Sequence, residues 1–461
     1  MPQAATYIWD DKNQLEAGAN EMKARADTIA KAWAYYYGDQ TLPLKVSTVH
    51  GDQNVIMNLV GQAADDLVAM IGVPRFDVPG GSQREPDEAG HLRVMKSTEQ
   101  QWLDDWWEAH DLAEFMGDLA LSGFMAGHNF VRLYFDDGGN PQAALLDPTL
   151  VSVFWDEKNR KRVLFYRLMW EATDGQRRQD IVRGDLVLSE NGATIAPWLI
   201  FEYRMAKNAS KWEWVATDPW EFDFPPIVDW KNAKRPHQYY GRSDVRTRLN
   251  DSLNFSASST AKILRHHAHP KTVVTGGNLP DEFPNDPDRI IELNNPEAKM
   301  YNVEMQSDLK SSLDFMMMIR RAYFSEQRVV DLASIADKLG QITNFGVRMI
   351  FSRMIDKVSE TRHLHERGLQ NLSQRLLVMA NFNVERVNAT WPEMLPIDRR
   401  ELVETIEKEQ GLGVLSKQTA SEDLHRDYDV EAERIEEEQM QSGEELANVL
   451  TGIAQRGMLT G

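Results

Sequence analysis

The sequence predicts an α+β chain, and three observations carry that reading. Apolar residues recur at three- and four-residue steps through most of the first 126 residues and again beyond residue 307, the spacing of helices with one buried face. Between Asn129 and Trp230 the pattern changes to short alternating runs of β-branched and aromatic residues separated by turn residues. Between Gly241 and Asn344, two helical runs flank a stretch rich in proline and glycine. At 461 residues with 42% hydrophobic content, the chain can build the cores of two or three ordinary domains.

Taken in order, Leu15, Met22, Ile29 and Tyr36 repeat every seven residues, with Ala19, Ala26 and Trp33 four residues after the first three. This predicts an amphipathic helix over residues 12–37 that docks on a partner surface. Asn54 is placed to cap a second helix, Val55–Ile71, which Gly72-Val73-Pro74 stops. A Pro- and Gly-rich connection, Asp77–Ala89, leads to a helix over Thr98–Ala126 carrying Trp102, Trp106, Leu112, Phe115 and Leu119. The cluster Trp102, Trp106 and Trp107 is read as core, because aromatics at helical spacing are most often buried. Strands are expected at Phe130–Tyr134, Val163–Trp170, Ile181–Leu188 and Trp198–Tyr203, with a turn at Asp137-Gly138-Gly139-Asn140, giving an antiparallel region.

The next stretch organises the chain. Ser243 and Asp244 are placed to cap a helix through Leu249, Leu253, Ile263 and Leu264 that Pro270 ends. Gly276-Gly277-Asn278, Pro280, Pro284, Pro287 and Pro296 then interleave with Val273-Val274 and Ile290-Ile291, the texture of a compact turn-rich module. A second helix starts at Ser307-Asp308, places Leu309, Leu313, Met316, Met317, Tyr323 and Phe324 at three- and four-residue steps, and ends near Val330. Two helices of about 25 residues span roughly 35 to 40 Å, so the tip is held away from the rest and is expected to touch another molecule. A loop, Asp331–Asn344, precedes a long helix, Phe345–Met379, then strand-like Phe382–Ala389 with Trp391-Pro392, and charged helices at Asp398–Gln410 and Thr419–Glu438 joined by Gly411-Leu412-Gly413.

The formal charge is −20, against a protein that grips nucleic acid by neutralising phosphates. A conduit is compatible with it, since an acidic wall prevents sticking. Half of that charge lies in residues 393–461, where 17 acidic residues face 7 basic ones. No apolar run approaches the ~20 residues of a membrane span, and Met1-Pro2-Gln3 does not begin a signal peptide, so a soluble intracellular protein is expected. With no cysteine, disulfides, thiolate metal sites and cysteine nucleophiles are excluded. No Gly-x-x-x-x-Gly-Lys-Ser/Thr loop occurs, and Gly411-x-Gly413 lacks the third glycine of a dinucleotide site. The histidine groups His266, His267, His269 and His363, His365 lack the i, i+4 pair of zinc proteases, and Glu436-Glu437-Glu438 reads as a solvated helix face. No enzymatic activity, cofactor or metal is expected.

Five groups of residues, in this order and spacing, resemble the tailed-bacteriophage portal proteins of the siphophage-type head-tail connector family: Tyr35-Tyr36-Tyr37-Gly38-Asp39; Asp147-Pro148; Tyr240-Gly241-Arg242-Ser243-Asp244; Thr390-Trp391 with Leu395-Pro396; and Gly413-Val414-Leu415-Ser416 with Thr419. The resemblance covers nearly the whole chain and implies a portal fold: a mixed α/β wing (residues 1–240), a first stem helix (241–270), a small α/β clip (271–306), a second stem helix (307–330), a tunnel loop (331–345), a wing helix and strand (346–392) and an acidic helical crown (393–461). It implies a dodecameric ring at one capsid vertex of a virion, made in the bacterial cytoplasm, through which double-stranded DNA enters and leaves. The implied partners are the terminase motor, head-completion and tail adaptor proteins, and the major capsid protein. Lys338, Gln341 and Asn344 would then face the DNA channel, and Asn278, Asp281, Glu282, Asp286 and Arg289 of the clip would meet partners. The alternatives are a minor head or adaptor protein without a channel, and a DNA-processing enzyme.

Overall fold

The structure, a computed structural model, describes residues 12–46, 48, 51–86, 92–156, 158–187, 196–236, 238–268, 272–276, 297, 299–302, 309–335, 344–395, 399–424, 431, 434 and 435. Helix α1 (Lys12–Tyr37) covers the predicted span, and among its described side chains, those of residues 23–37, Ile29, Ala32 and Tyr35 are buried while Tyr36 is half-buried. Helix α2 (Leu59–Ile71) starts four residues later than predicted, because Asn58 and not Asn54 caps it: its Oδ1 accepts from Gly61 N–H at 2.9 Å. Strand β1 (Arg75–Asp77) and the hairpin β2 (Ser82–Pro86) with β3 (Leu92–Lys96) follow. The single helix predicted over Thr98–Ala126 is two, α3 (Thr98–Ala109) and α4 (Leu112–Ala126). Asp111 breaks it, taking a left-handed φ of 42° from which its carboxylate caps α4 at Glu114 N–H, 3.1 Å away. Trp106 and Trp107 are core as expected, Trp106 Nε1 donating to Pro141 O at 2.9 Å and Trp107 Nε1 to Ser373 Oγ at 3.2 Å, while Trp102 is half-buried at the edge of that core.

The predicted antiparallel region holds β4 (His128–Phe135), β5 (Pro141–Leu146), β6 (Val151–Trp155), β7 (Val163–Ala172), β8 (Gly175–Arg183), β9 (Trp198–Ala206), β10 (Glu213–Trp220) and β11 (Ile227–Lys231). They form a five-stranded sheet ordered β10-β9-β8-β7-β6 and a three-stranded sheet ordered β11-β4-β5. The β4–β5 turn is held by Asp136, whose Oδ1 accepts from Gly138 N–H at 2.9 Å and Asn140 N–H at 2.8 Å.

Helix α5 (Arg248–Ala268) leads to an antiparallel ribbon, β12 (Thr272–Thr275) with β13 (Lys299–Asn302), and then to α6 (Leu309–Gln327), the short α7 (Leu332–Ile335) and the 36-residue α8 (Asn344–Met379). Strand β14 (Asn388–Thr390) pairs with β1, and α9 (Arg399–Gly411) and α10 (Lys417–Asp423) follow. Ser243 and Asp244 do not cap α5. Residues 241–247 are non-helical because their groups are engaged elsewhere: Gly241 N–H donates to His128 Nδ1 at 3.2 Å and Asp244 N–H to Phe124 O at 3.0 Å. Gly241 is required there, since a side chain would run into the Gly127 carbonyl.

A polar ladder roots α5. Asn250, Asn254 and Ser258, one helical turn apart and fully buried, accept the N–H groups of Leu59 (3.1 Å), Met57 (2.8 Å) and Val55 (2.8 Å). Four helical residues rise ~6.0 Å and two extended residues ~6.6 Å, so alternate N–H groups of the extended segment meet every fourth side chain. Gln40 completes the knot: its Oε1 accepts from Asn250 and, at 2.7 Å, from Asn254, while its Nε2 donates to Asn58 Oδ1 at 3.1 Å.

Helix α8 is the spine. Arg362 donates to Ile71 O (2.8 Å) and Met70 O (3.1 Å), capping the carbonyl end of α2, and to Pro392 O (2.6 Å). Gly368 lets the Trp230 indole lie against the helix, where a methyl group would overlap it. One turn earlier, buried His365 accepts from Trp230 Nε1 through Nδ1 at 3.0 Å.

Two predictions follow from this packing. Asn254→Ala strands the Met57 N–H and removes one Gln40 bond, and should cost about 2–3 kcal/mol in urea unfolding. Ser256→Ala, whose hydroxyl bonds to Ser252 O of its own helix, should cost under ~0.5 kcal/mol, and equal losses would show that the ladder does not hold α5. Burial pushes His365 down from 6.5 to about 4, so between those values only the unfolded chain is protonated there. Its contribution to stability is therefore complete above about pH 6.5 and is lost as pH falls toward 4. Between neutral pH and about pH 5 the native chain should lose roughly 2 kcal/mol more than His365→Gln, which keeps an acceptor for Trp230 without titrating. Parallel pH profiles for the two proteins would rule His365 out as the cause.

Candidate functional site

The feature that stands apart is the helical hairpin α5–β12–β13–α6 with its exit into α7 and α8. Helices α5 and α6 pack side by side, and the ribbon, with Thr272 opposite Asn302 and Thr275 opposite Lys299, ties their far ends together. At 21 and 19 residues they span about 30 Å, less than predicted, because α5 starts late. Of the expected tip residues, Asn278, Asp281, Glu282, Asp286 and Arg289 all lie outside the described residues.

The two halves of α6 differ. Near its end Ile319, Tyr323, Phe324 and Gln327 are buried, and Gln327 Nε2 donates to Asp244 O at 2.9 Å, so this half is part of the main core. Farther out, Leu313, Phe315, Met317 and Met318 are 49–57% exposed, and on α5 Phe255 and Leu264 are similarly open. Exposed apolar residues on both faces of a helix mark a contact surface. Helical spacing places Leu313, Met317 and Tyr323 alike, but only Tyr323 of the three is buried.

After α6, Arg320 holds Asp331 in a fork, Nε to Oδ2 at 2.8 Å and NH2 to Oδ1 at 2.8 Å. Asp331 is therefore a neutralised, buried anchor, and the segment expected to be loop opens with α7. Asn344 is the first residue of α8, whereas Lys338 and Gln341 lie outside the described residues. Leu332, Phe345 and Met349 are exposed beside this segment.

One buried cluster has the look of catalytic machinery. Asp229 accepts from His128 Nε2 (2.9 Å), Tyr239 Oη (2.6 Å) and Tyr166 Oη (2.8 Å). Burial would raise the Asp229 pKa, but the three donors, His128 first, outweigh it and hold it below the usual carboxylate value. Burial keeps His128 low, and with Nδ1 accepting from Gly241 its imidazole is neutral with the proton on Nε2. Both tyrosines are driven well above 10, mainly by burial, so neither hydroxyl is a nucleophile near neutral pH. The cluster joins β4, β7, β11 and the 239–241 turn and acts as structure. His363 is exposed while His365 is buried, and among the described residues no three potential metal ligands gather. No described helix is long and apolar enough to cross a membrane.

No curated protein matches the chain. Similar solved structures include a chain of the virion of a native gene transfer agent (GTA) particle, with 11% identity, coverage of 92% of this chain and 96% of that one, and a TM-score of 0.42. Another is a chain of the neck of a native GTA particle computed with C12 symmetry, with 12% identity, 78% and 88% coverage, and a TM-score of 0.43. The model of the family described as phage portal protein, SPP1 Gp6-like, matches residues 198–445. That span takes in the hairpin, its root on α8 and the helices beyond, more than half of the chain, and by it this protein belongs to the SPP1 Gp6-like family of phage portal proteins.

Proposed function

We propose that the protein acts mechanically, as a ring of identical subunits at one vertex of a phage capsid through which DNA is packaged and released. The observation that carries this is the exposed apolar residues around the outer half of α6, Leu313, Phe315, Met317 and Met318, on the hairpin that the family match spans. Repeated contacts of one face with a different face of the next copy close into a ring when the rotation permits. In this reading residues 1–240 and 346–392 form the wing that meets the major capsid protein, 241–270 and 307–330 the stem, 271–306 the clip, 331–345 the tunnel loop and 393–461 the crown. The clip, through Asn278, Asp281, Glu282, Asp286 and Arg289, takes the terminase and then the head-completion and tail adaptor proteins. Charge supports a channel at the hairpin: α5 and α6 together hold six Lys or Arg against three Asp or Glu, on a chain of net −20. A modest cationic lining repeated around a ring guides DNA without the many phosphate contacts that would hold it fast.

Native mass measurement of the purified chain should give a closed ring of about a dozen copies, and replacing both Met317 and Met318 with Glu should dissolve it into smaller species of normal helical content. A native chain that stays monomeric or dimeric across concentration and salt overturns the ring. Lys338→Glu should leave the ring intact and impair DNA packaging or retention, and normal packaging by that variant would remove Lys338, with Gln341 and Asn344, from the channel wall.

A further inference from the structure

The end of α6, the 232–246 connection and the middle of α8 enclose a cleft of about 300 Å³. Five cations line it, Lys234, Arg242, Arg246, Arg328 and Lys357. The carboxylates there are three, Asp244, Glu326 and Glu360, and each already faces a partner. Lys357 lies 3.6 Å from Asp244, Arg246 lies 3.4 Å from Glu326, and Arg328 lies 3.7 Å from Glu360. These spacings are long beside the 2.8 Å fork of Arg320 on Asp331, so the charges oppose one another around the recess without closing it. Among the described residues neither Lys234 nor Arg242 is in an ion pair, which leaves the recess with two surplus positive charges.

The backbone at Arg328 points the same way. Helices α6, α8 and α9 end in one motif: the N–H groups of Val329, Phe382 and Val414 reach back to Phe324 O, Leu377 O and Glu409 O at 3.0, 2.9 and 3.1 Å. The left-handed position this needs is Asn381 in α8 and Gly413 in α9, residues that tolerate it, but in α6 it is Arg328, at φ 56°. Glycine would serve the turn better, and only the side chain gives a reason for arginine.

We propose that the cleft is an oxyanion site that takes a phosphate group, held by Lys234, Arg242 and Arg328. Two surplus cations suit a phosphate's charge, and guanidinium forks suit its geometry. Such a ligand bridges α6, the 241–247 connection and α8, and so fixes the angle at which the hairpin leaves the core. Free inorganic phosphate and a DNA phosphodiester share this chemistry.

The test is equilibrium dialysis of the full chain against inorganic phosphate at constant ionic strength. One saturable phosphate per chain is expected, bound at least about tenfold more weakly by the Lys234→Gln/Arg242→Gln protein, whose two changed side chains are exposed. Arg328→Gly separates strain from binding: it should raise the thermal midpoint in phosphate-free buffer while weakening phosphate binding severalfold. Absence of saturable binding below ~10 mM, or equal binding by the double variant, overturns the site. A short DNA duplex added to the dialysis names the source, displacing phosphate if the backbone is the ligand and leaving it bound if the free ion is.

Discussion

The architecture depends on a match of repeats between a helix and an extended strand. Asn250, Asn254 and Ser258 recur at one helical turn, and the N–H groups of Leu59, Met57 and Val55 recur at two extended residues, so each finds the other without distortion. Backbone N–H groups buried without partners would each cost about 1–3 kcal/mol, and here a helix side supplies what a sheet edge would otherwise supply. The same contact decides where α2 starts, because residues 55–58 are held extended and the cap passes to Asn58. It also binds the hairpin to the end of α1 through Gln40 and through Tyr35, which donates to Asp251 at 2.7 Å. A hairpin rooted so firmly at one end is free to leave its other half without cover from its own chain.

The opposite wall of the root is α8. Arg362 gathers the last carbonyls of α2 and the chain after β14, and Arg375 donates to Ile227 O at 2.9 Å, so one helix fixes both a helix end and a strand of the three-stranded sheet. Guanidinium groups do this where lysine would not, because several donors leave one planar group in fixed directions. Between them, His365 is kept neutral by burial and by accepting from Trp230, which ties integrity of the spine to pH. Lys357, half-buried nearby, reaches Gln327 O at 3.0 Å and so connects the spine to the end of α6.

The sequence exposes periodicity well and polar burial poorly. The α/β alternation, the tryptophans of α3 and the span of α1 were legible because apolar spacing reports directly on burial. The ladder was not, since asparagine and serine on a helix ordinarily signal solvent, and the apolar spacing through Leu249 and Leu253 passes over the neighbours that do the anchoring. The α3–α4 break was hidden for a related reason: Asp111 sits among good helix residues, and its capping bond to Glu114 is a choice only the tertiary path reveals. At the hairpin, spacing could not say that Tyr323 and Met317 belong to different surroundings, because both lie on helical steps. The order of textures nevertheless located the hairpin and its flanking helix.

Magnitudes set a condition on the proposed ring. The four half-exposed apolar residues of α6 offer roughly 350 Å² to a neighbour, and covering that area contributes about 9 kcal/mol at ~25 cal/mol per Å². Association itself costs an estimated 4–15 kcal/mol, so the stem face alone would leave the contact between two copies near balance. The remainder must come from elsewhere on the same subunit. Tyr37, Leu42, Val46 and Met57 are exposed apolar residues around the root, close in sequence to the segment that the ladder clamps to α5. A rigid root therefore does two things for a ring. It presents a second apolar surface at a fixed offset from the stem, and it makes the two surfaces act as one interface, since burying the first holds the second in place without further loss of freedom.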